Sequence, residues 1–283
     1  MKSIFVSFYM MAAIVITTIA GQSLWVTRDY LSWGGVLLVT APFVVFLGRL
    51  MIFQNIARTS ARFPTLIVLG IAGVVLASWG YARGGSLAAP LLAIVAWVGF
   101  VVYSYWYSSF GRQPSEQLQI GNSLPNFELT DVTGQNVSSS SFSDKPTIWI
   151  FYRGNWCPLC MAQIKELVAD YKELQSRGVR IALISPQPHN NTIALAKRFD
   201  APFAFLTDEG NRAAHALGIS HPDGLPMGMQ LFGYDSDTVL PTVIITDKGG
   251  RVLWAHETDN YRIRPEPGIY LAVLRENGIV ADG

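Results

Sequence analysis

The sequence predicts two unlike parts: four membrane-spanning helices, then an α/β domain with a mixed sheet flanked by helices. Three observations predict this. Residues 1–112 contain four long stretches without a charged side chain. Beyond them, β-rich apolar runs alternate with segments of helical period. The chain then closes on a strand, a tight turn, a returning strand and a helix, an order that implies a mixed sheet.

The first part carries seven basic residues and one acidic one, a net +6, whereas the remaining 171 residues carry fourteen basic and nineteen acidic, a net −5. Its charge-free stretches, 3–27, 30–48, 63–82 and 84–111, each reach the roughly 18 to 20 apolar residues that a helix needs to cross a bilayer. Trp25, Tyr30, Trp33, Trp79, Tyr81, Tyr103, Tyr105, Trp106 and Tyr107 lie at their ends, where an aromatic belt belongs. The predicted spans are about 4–26, 30–48, 63–82 and 86–107 within a membrane domain 1–111. With the amino terminus inside, Lys2, Arg49, Arg58, Arg62 and Arg112 fall on the inner side and only Arg28 and Arg83 on the outer. That asymmetry predicts both termini in the cytoplasm. The membrane part has no Cys and no His, and its charges sit at helix ends. It therefore reads as an anchor or docking module rather than an electron or proton relay.

A polar linker over 112–125 leads to a domain predicted over 126–283. "NFELTDVTGQNV" alternates around a turn at 131–134, as a hairpin does. "PTIWIFY" (146–152) is a strand buried on both faces. From Pro158 to Gln175, Met161, Ile164, Leu167, Val168, Tyr171 and Leu174 recur at helical spacing, and Gly178 ends the run. "GVRIALIS" is a second buried strand, 189–199 a helix, "FAFLTD" a short strand and 211–217 a helix. Residues 218–240 show no clear element, "TVIITDKGGRVLWAH" is a hairpin, and 270–276 is a helix. The domain has no run of basic residues, so nothing in it points to nucleic-acid binding and none is expected.

The chain's two cysteines, Cys157 and Cys160, lie at the junction of strand and helix. A helix amino terminus favours an anion, so Cys157 is expected to be an accessible thiolate, and Pro158 suits the first helical position. Arg153 is placed to strengthen that effect if it folds back. Cys160, one turn on, can close a small ring, the minimum equipment for dithiol–disulfide exchange. No second cysteine pair is present to complete a zinc site, so neither metal nor cofactor is expected. A structural disulfide of so short a loop would add little stability.

"FYRGNWCPLC", "GNSLPNFELTDVTGQNV" and "LPTVIITDKGGRVLWAH" resemble the active-site segment and the opening and closing hairpins of the AhpC/TSA-like redoxins of the thioredoxin superfamily. The resemblance runs from about Gly121 to the carboxyl terminus and implies a thioredoxin-like fold. It implies that Pro241 is a cis-proline facing the cysteines, with Leu240 before it, and that Trp156 is the tryptophan preceding the first cysteine. There are departures. Gly154 and Ile150 stand where peroxiredoxins carry threonine and proline, and Leu240 and Pro241 where they carry the catalytic arginine. Phe151 stands where thioredoxins keep a buried aspartate, and the intervening Pro-Leu is similar to that of glutaredoxins.

These readings predict a membrane-anchored thiol–disulfide oxidoreductase with Cys157 as nucleophile and Cys160 as resolving thiol. A thiol peroxidase and a redox-sensing module of a membrane complex are the alternatives. The expected partners are a protein or small-molecule disulfide, or a peroxide, together with a thiol reductant and the lipid bilayer. The stretch "LPMGMQLF" (225–232) is either a docking surface for a membrane protein or a lid over the cysteines. Arg262 and Arg264 read equally as solvated charges or as substrate contacts, His221 and His256 as surface or loop residues, and Trp149 and Trp254 as core. The expected location is a bacterial inner membrane, with the redoxin domain on the cytoplasmic face and the periplasmic face as the alternative.

Overall fold

The computed structural model describes residues 1–280, and within 158–176 it describes only the backbone of Asp170, Tyr171, Lys172, Glu173 and Gln175. The side chain assigned to the helical stripe at Tyr171, and the last three residues of the predicted domain, lie outside what is described. The chain divides into two compact units, one of Met1–Gln54 and Thr59–Phe110, the other of Asn55–Arg58 and Gly111–Gly283.

The first unit contains helices α1 (Lys2–Thr27), α2 (Tyr30–Phe53), α3 (Pro64–Ala82) and α4 (Ala88–Val102). All four, α4 counted with its continuation to Tyr107, are long and apolar enough to cross a membrane. Helix α2 runs past Arg49 to Phe53, because one terminal arginine does not interrupt backbone hydrogen bonding. The fourth helix widens over Tyr103–Tyr107, where the Ser108 amide donates to the Tyr103 carbonyl at 3.1 Å, five residues back. Asp29 starts α2 by accepting from the Ser32 amide at 3.0 Å. Helices α2 and α3 approach through glycine: a Cβ on Gly35 would lie 2.5 Å from the Ala77 nitrogen and one on Gly73 2.6 Å from the Gly35 oxygen. Small residues permit such contact where apolar burial gives no preference over lipid. Phe8, Met11, Val45, Ile52, Val68, Val75 and Val98 are exposed, an apolar surface distributed over all four helices.

The second unit is an α/β domain. The hairpin β1 (Glu128–Asp131) and β2 (Asn136–Ser138) turns at 131–134 as predicted, with Asp131 Oδ1 accepting from the Thr133 and Gln135 amides. Then follow β3 (Thr147–Phe151), α5 (Pro158–Ser176), β4 (Arg180–Ser185), α6 (His189–Phe199), β5 (Ala204–Thr207) and α7 (Arg212–Ala216). The chain continues through β6 (Ser220–His221), β7 (Thr238–Val239), β8 (Thr242–Thr246), β9 (Val252–Glu257) and α8 (Pro267–Glu276). The main sheet has seven strands in the order β2-β1-β5-β4-β3-β8-β9, and β6 pairs with β7 separately. β3 runs parallel to β4 and antiparallel to β8. Every residue of β3 and β8 is buried, as their β-branched runs require. Trp149 fills this core, with its indole N–H on Thr246 Oγ1 at 3.0 Å, whereas Trp254 is only half-buried.

Two regions differ from the sequence reading. Residues 218–240 contain β6, β7 and a single helical turn over Met229–Phe232. Two-residue strands carry no periodicity, so they leave no trace in the pattern. The segment 112–125, read as a linker, is held against the domain. Gly121 N donates to Val252 O and Leu124 N to Gly250 O, both at 2.8 Å, and Leu118 is buried.

Candidate active site

β3 ends at the centre of the sheet and the chain turns through Tyr152–Trp156 into α5. Gly154 makes this turn at φ 139°, and a Cβ there would lie 2.7 Å from the Trp156 indole nitrogen. Glycine is therefore required where peroxiredoxins carry threonine. The Asn155 amide donates to Gln187 Oε1 at 2.8 Å, Gln187 Nε2 donates to the Tyr152 hydroxyl at 3.1 Å, and Thr238 Oγ1 donates to the Arg153 carbonyl at 3.1 Å. Tyr234 donates its hydroxyl to Asn155 Oδ1 and accepts from Asn191 at 3.0 Å. The turn is thus held from α6, from the loop before it and from β7.

Pro158 is the first residue of α5, so Cys157 occupies the cap position and its sulfur accepts from the Cys160 amide at 3.4 Å. The Sγ atoms lie 2.8 Å apart. Both cysteines are free and buried, at 2% and 1% exposure. Three arginines are also buried in this domain near the site: Arg153, Arg262 and Arg264 at 4%, 1% and 5%. Arg153 lies over the Trp156 ring at 4.7 Å and donates to the Gly224 carbonyl. Arg264 approaches Cys160 Sγ at 3.6 Å through Nη2, while Nη1 reaches Gln163 Oε1 at 3.5 Å and Nε donates to Tyr261 O at 3.1 Å. The solvated reading of Arg262 and Arg264 is therefore wrong. Their segment is folded inward ahead of α8, which starts at Pro267 rather than Tyr270.

The two thiols titrate as a pair. Burial opposes the first charge on Cys160, but the Cys157 thiol, the Arg264 guanidinium and Arg153 outweigh it and bring Cys160 down to about 6. Burial, the hydrogen bond to Cys160 and the charge on Cys160 push Cys157 well up. From the helix terminus, with Arg153 as a possible aid, the sequence predicts the first anion on Cys157. The Cys157 thiol hydrogen bond, followed by Arg264 and Arg153, favours it on Cys160.

Leu240 and Pro241 connect β7 to β8, and the Phe151–Thr242 register brings them level with the turn that follows β3. The implied cis-proline is not found: no cis peptide bond occurs among the described residues. The Leu240 amide donates to Ile219 O at 2.8 Å, extending the β6–β7 pairing so that the chain passes directly into β8. An extended passage suits the trans form, which X–Pro bonds prefer by about 0.5–1 kcal/mol. Of the stretch 225–232, Leu225 is buried and Met227, Leu231 and Phe232 are exposed. The carbonyl preceding it, of Gly224, is the one that Arg153 grips. His221 is partly buried, and burial followed by the nearby Arg264 and Arg112 charges lowers the His256 pKa, so neither is a freely solvated surface histidine.

Residues 120–255 match the model of the AhpC/TSA family. Peroxiredoxin Q from the chloroplast of Triticum aestivum is 32% identical over 121 residues, 42% of this chain and 56% of that protein. Peroxiredoxin Q from Sedum lineare is 31% identical over 124 residues, 44% of this chain and 67% of that protein. The thiol-disulfide oxidoreductase ResA of Bacillus cereus is 28% identical over 167 residues, 58% of this chain and 81% of that protein. This chain thus spans little more than half of the wheat relative. With the hairpins, the β3–α5 turn and the sheet order in place, the chain belongs to the AhpC/TSA family through its second unit.

Proposed function

We propose that the protein is a membrane-anchored thiol–disulfide oxidoreductase in which Cys157 attacks and Cys160 resolves. The observation that carries this reading is the 2.8 Å separation of two buried sulfurs at the start of α5, close enough to join without backbone movement. One sulfur carries the charge and the other the proton at neutral pH. Proton exchange between them presents Cys157 as the thiolate. Its attack on a disulfide R–S–S–R releases R–S⁻ and forms a mixed disulfide. Cys160 then gives its proton to the second leaving sulfur and displaces it as R–SH, and the domain is left as the internal disulfide. Leu240, Pro241, Arg153, Trp156 and Pro158 shape the surroundings of the pair in this reading.

A second reading, thiol peroxidase, is favoured by two donors. Arg153 Nε and Trp156 Nε1, four residues and one residue before Cys157, are buried without an acceptor. Peroxide oxygens would satisfy both. The Cys157 thiolate would attack ROOH, giving a sulfenic acid and, after protonation, ROH; Cys160 would then expel water and close the disulfide. The relatives named peroxiredoxin Q and ResA support the two readings about equally. Reductant consumption by the full chain in detergent separates them. Turnover is expected with a small disulfide, and turnover with peroxide alone would replace the first reading by the second.

Four long apolar helices and the five-to-two division of basic residues support a multi-pass protein with its redox domain in the cytoplasm. In a variant lacking Cys157 and Cys160, a cysteine at Ser86 should react with an impermeant maleimide on intact cells. Reaction at a cysteine placed at the exposed Gln119 instead would invert the topology.

A further inference from the structure

Arg264 lies 104 residues beyond Cys160 in sequence, yet the residue is 5% exposed and among the described residues its side chain donates to Tyr261 O, Gln163 Oε1 and Cys160 Sγ. None is a carboxylate. Gln163, itself 2% exposed, is held in turn by its Nε2 donating to the Tyr270 hydroxyl at 3.3 Å. A buried cation without an anionic partner is costly, and among the described residues the one hydrogen-bonding atom of Arg264's partners that readily becomes anionic is the Cys160 sulfur of the dithiol. We propose that Arg264 is a positioning residue that stabilises the reduced pair through the Cys160 sulfur, making the couple a stronger electron acceptor than an unassisted Cys-x-x-Cys pair.

The proposal rests on the dithiol reading and follows from charge balance. In the reduced state one thiolate and one thiol face Arg264. On oxidation by R–S–S–R the S–S bond forms, R–S⁻ and R–SH leave, and the sulfur beside Arg264 loses its charge. The guanidinium then remains buried without an anion, so oxidation is disfavoured and the reduction potential rises. The same logic links the potential to pH. Arg264 acts on Cys157 at the cap of α5, Cys160 on α5, His256 on β9 and Tyr270 on α8; Arg153 and Tyr152, in the turn after β3, act on or feel the cysteines, Arg112 acts on His256, and Arg58 and Glu166 act on Tyr270. Burial raises Tyr152 and pushes Tyr270 up to about 12, and burial with Arg264 and Arg112 lowers His256. The dithiol gives up its first proton at about 6 and holds the second well above the ordinary thiol value, so it carries one charge through the neutral range and the break lies at the acid end.

The test equilibrates the full chain in detergent with glutathione buffers from pH 5 to 9 and counts free thiols. Arg264→Gln should shift the equilibrium at least tenfold toward the disulfide, about 30 mV at two electrons. It should also move the break in the pH profile up from near pH 6. Arg264→Lys should stay within about threefold of the parent, since a cation remains. An unchanged equilibrium and break in Arg264→Gln overturn the proposal, as does an equal shift in both variants. Should Arg264→Gln fail to fold, Gln163→Met, which removes the acceptor fixing Nη1, is measured instead. A shift in the same direction supports the proposal and no shift overturns it. A parent with no glutathione-dependent transition refutes the dithiol reading itself, which separates that failure from failure of the Arg264 role.

Discussion

Replacing Cys157 with serine is expected to reduce disulfide turnover to background, while Cys160→Ser should accumulate stable mixed disulfides on Cys157. The reason lies in what each sulfur loses. In Cys160→Ser, Cys157 keeps the guanidinium charges of Arg153 and Arg264 and no longer faces a neighbouring thiolate, the second and third causes of its raised pKa after burial. Its pKa should fall, and it attacks without a partner to release the product. In Cys157→Ser, Cys160 keeps Arg264 but loses the thiol donor that is the largest influence holding it low against burial. Non-reducing electrophoresis after incubation with a labelled disulfide checks both. Adducts in Cys157→Ser and none in Cys160→Ser would reverse the assigned roles.

The second large effect concerns Arg112. Its side chain is 2% exposed, it meets Glu257 Oε1 at 2.6 Å, and it donates to Pro241 O at 3.3 Å and Thr242 Oγ1 at 3.1 Å. It therefore ties the segment before β1 to the strand that begins beside Pro241. Burial lowers the Arg112 pKa by more than the Glu257 charge and hydrogen bond raise it, so pairing does not fully offset desolvation. Removing one partner is then far worse than removing both. Arg112→Ala should destabilise the second unit by about 3–5 kcal/mol, whereas Arg112→Met with Glu257→Leu should lose much less. Urea-dependent proteolysis of the full chain measures the two. Equal losses would mean that the pair is net stabilising.

Features carried by consecutive residues were legible in the sequence. Charge-free length set α1 to α4, β-branched runs set β3 and β4, and Pro158 with the stripe after it set α5 and placed the cysteines at its start. What depended on distant residues was not legible. Nothing in "YRIRPEP" reveals that Arg264 turns inward, because Gln163 and Cys160, the side chains it meets there, lie 101 and 104 residues earlier. A signal was present: two arginines in seven residues with one acid among them, beside two prolines that fix the backbone. Gly154 was read as a missing threonine, when the positive φ and the Trp156 ring at that turn require glycine. The resemblance implied a cis bond at Pro241, but pairing of Leu240 with Ile219 carries the chain straight into β8.

The central claim is that Cys157 and Cys160 cycle together between dithiol and disulfide. It is tested most directly by treating the reduced full chain with one equivalent of a small disulfide, then denaturing, alkylating and mapping both cysteines. The account predicts that both thiols disappear together and that one peptide contains a Cys157–Cys160 cross-link. Both cysteines remaining alkylatable, or a lasting adduct on one sulfur with the other still free, would contradict it.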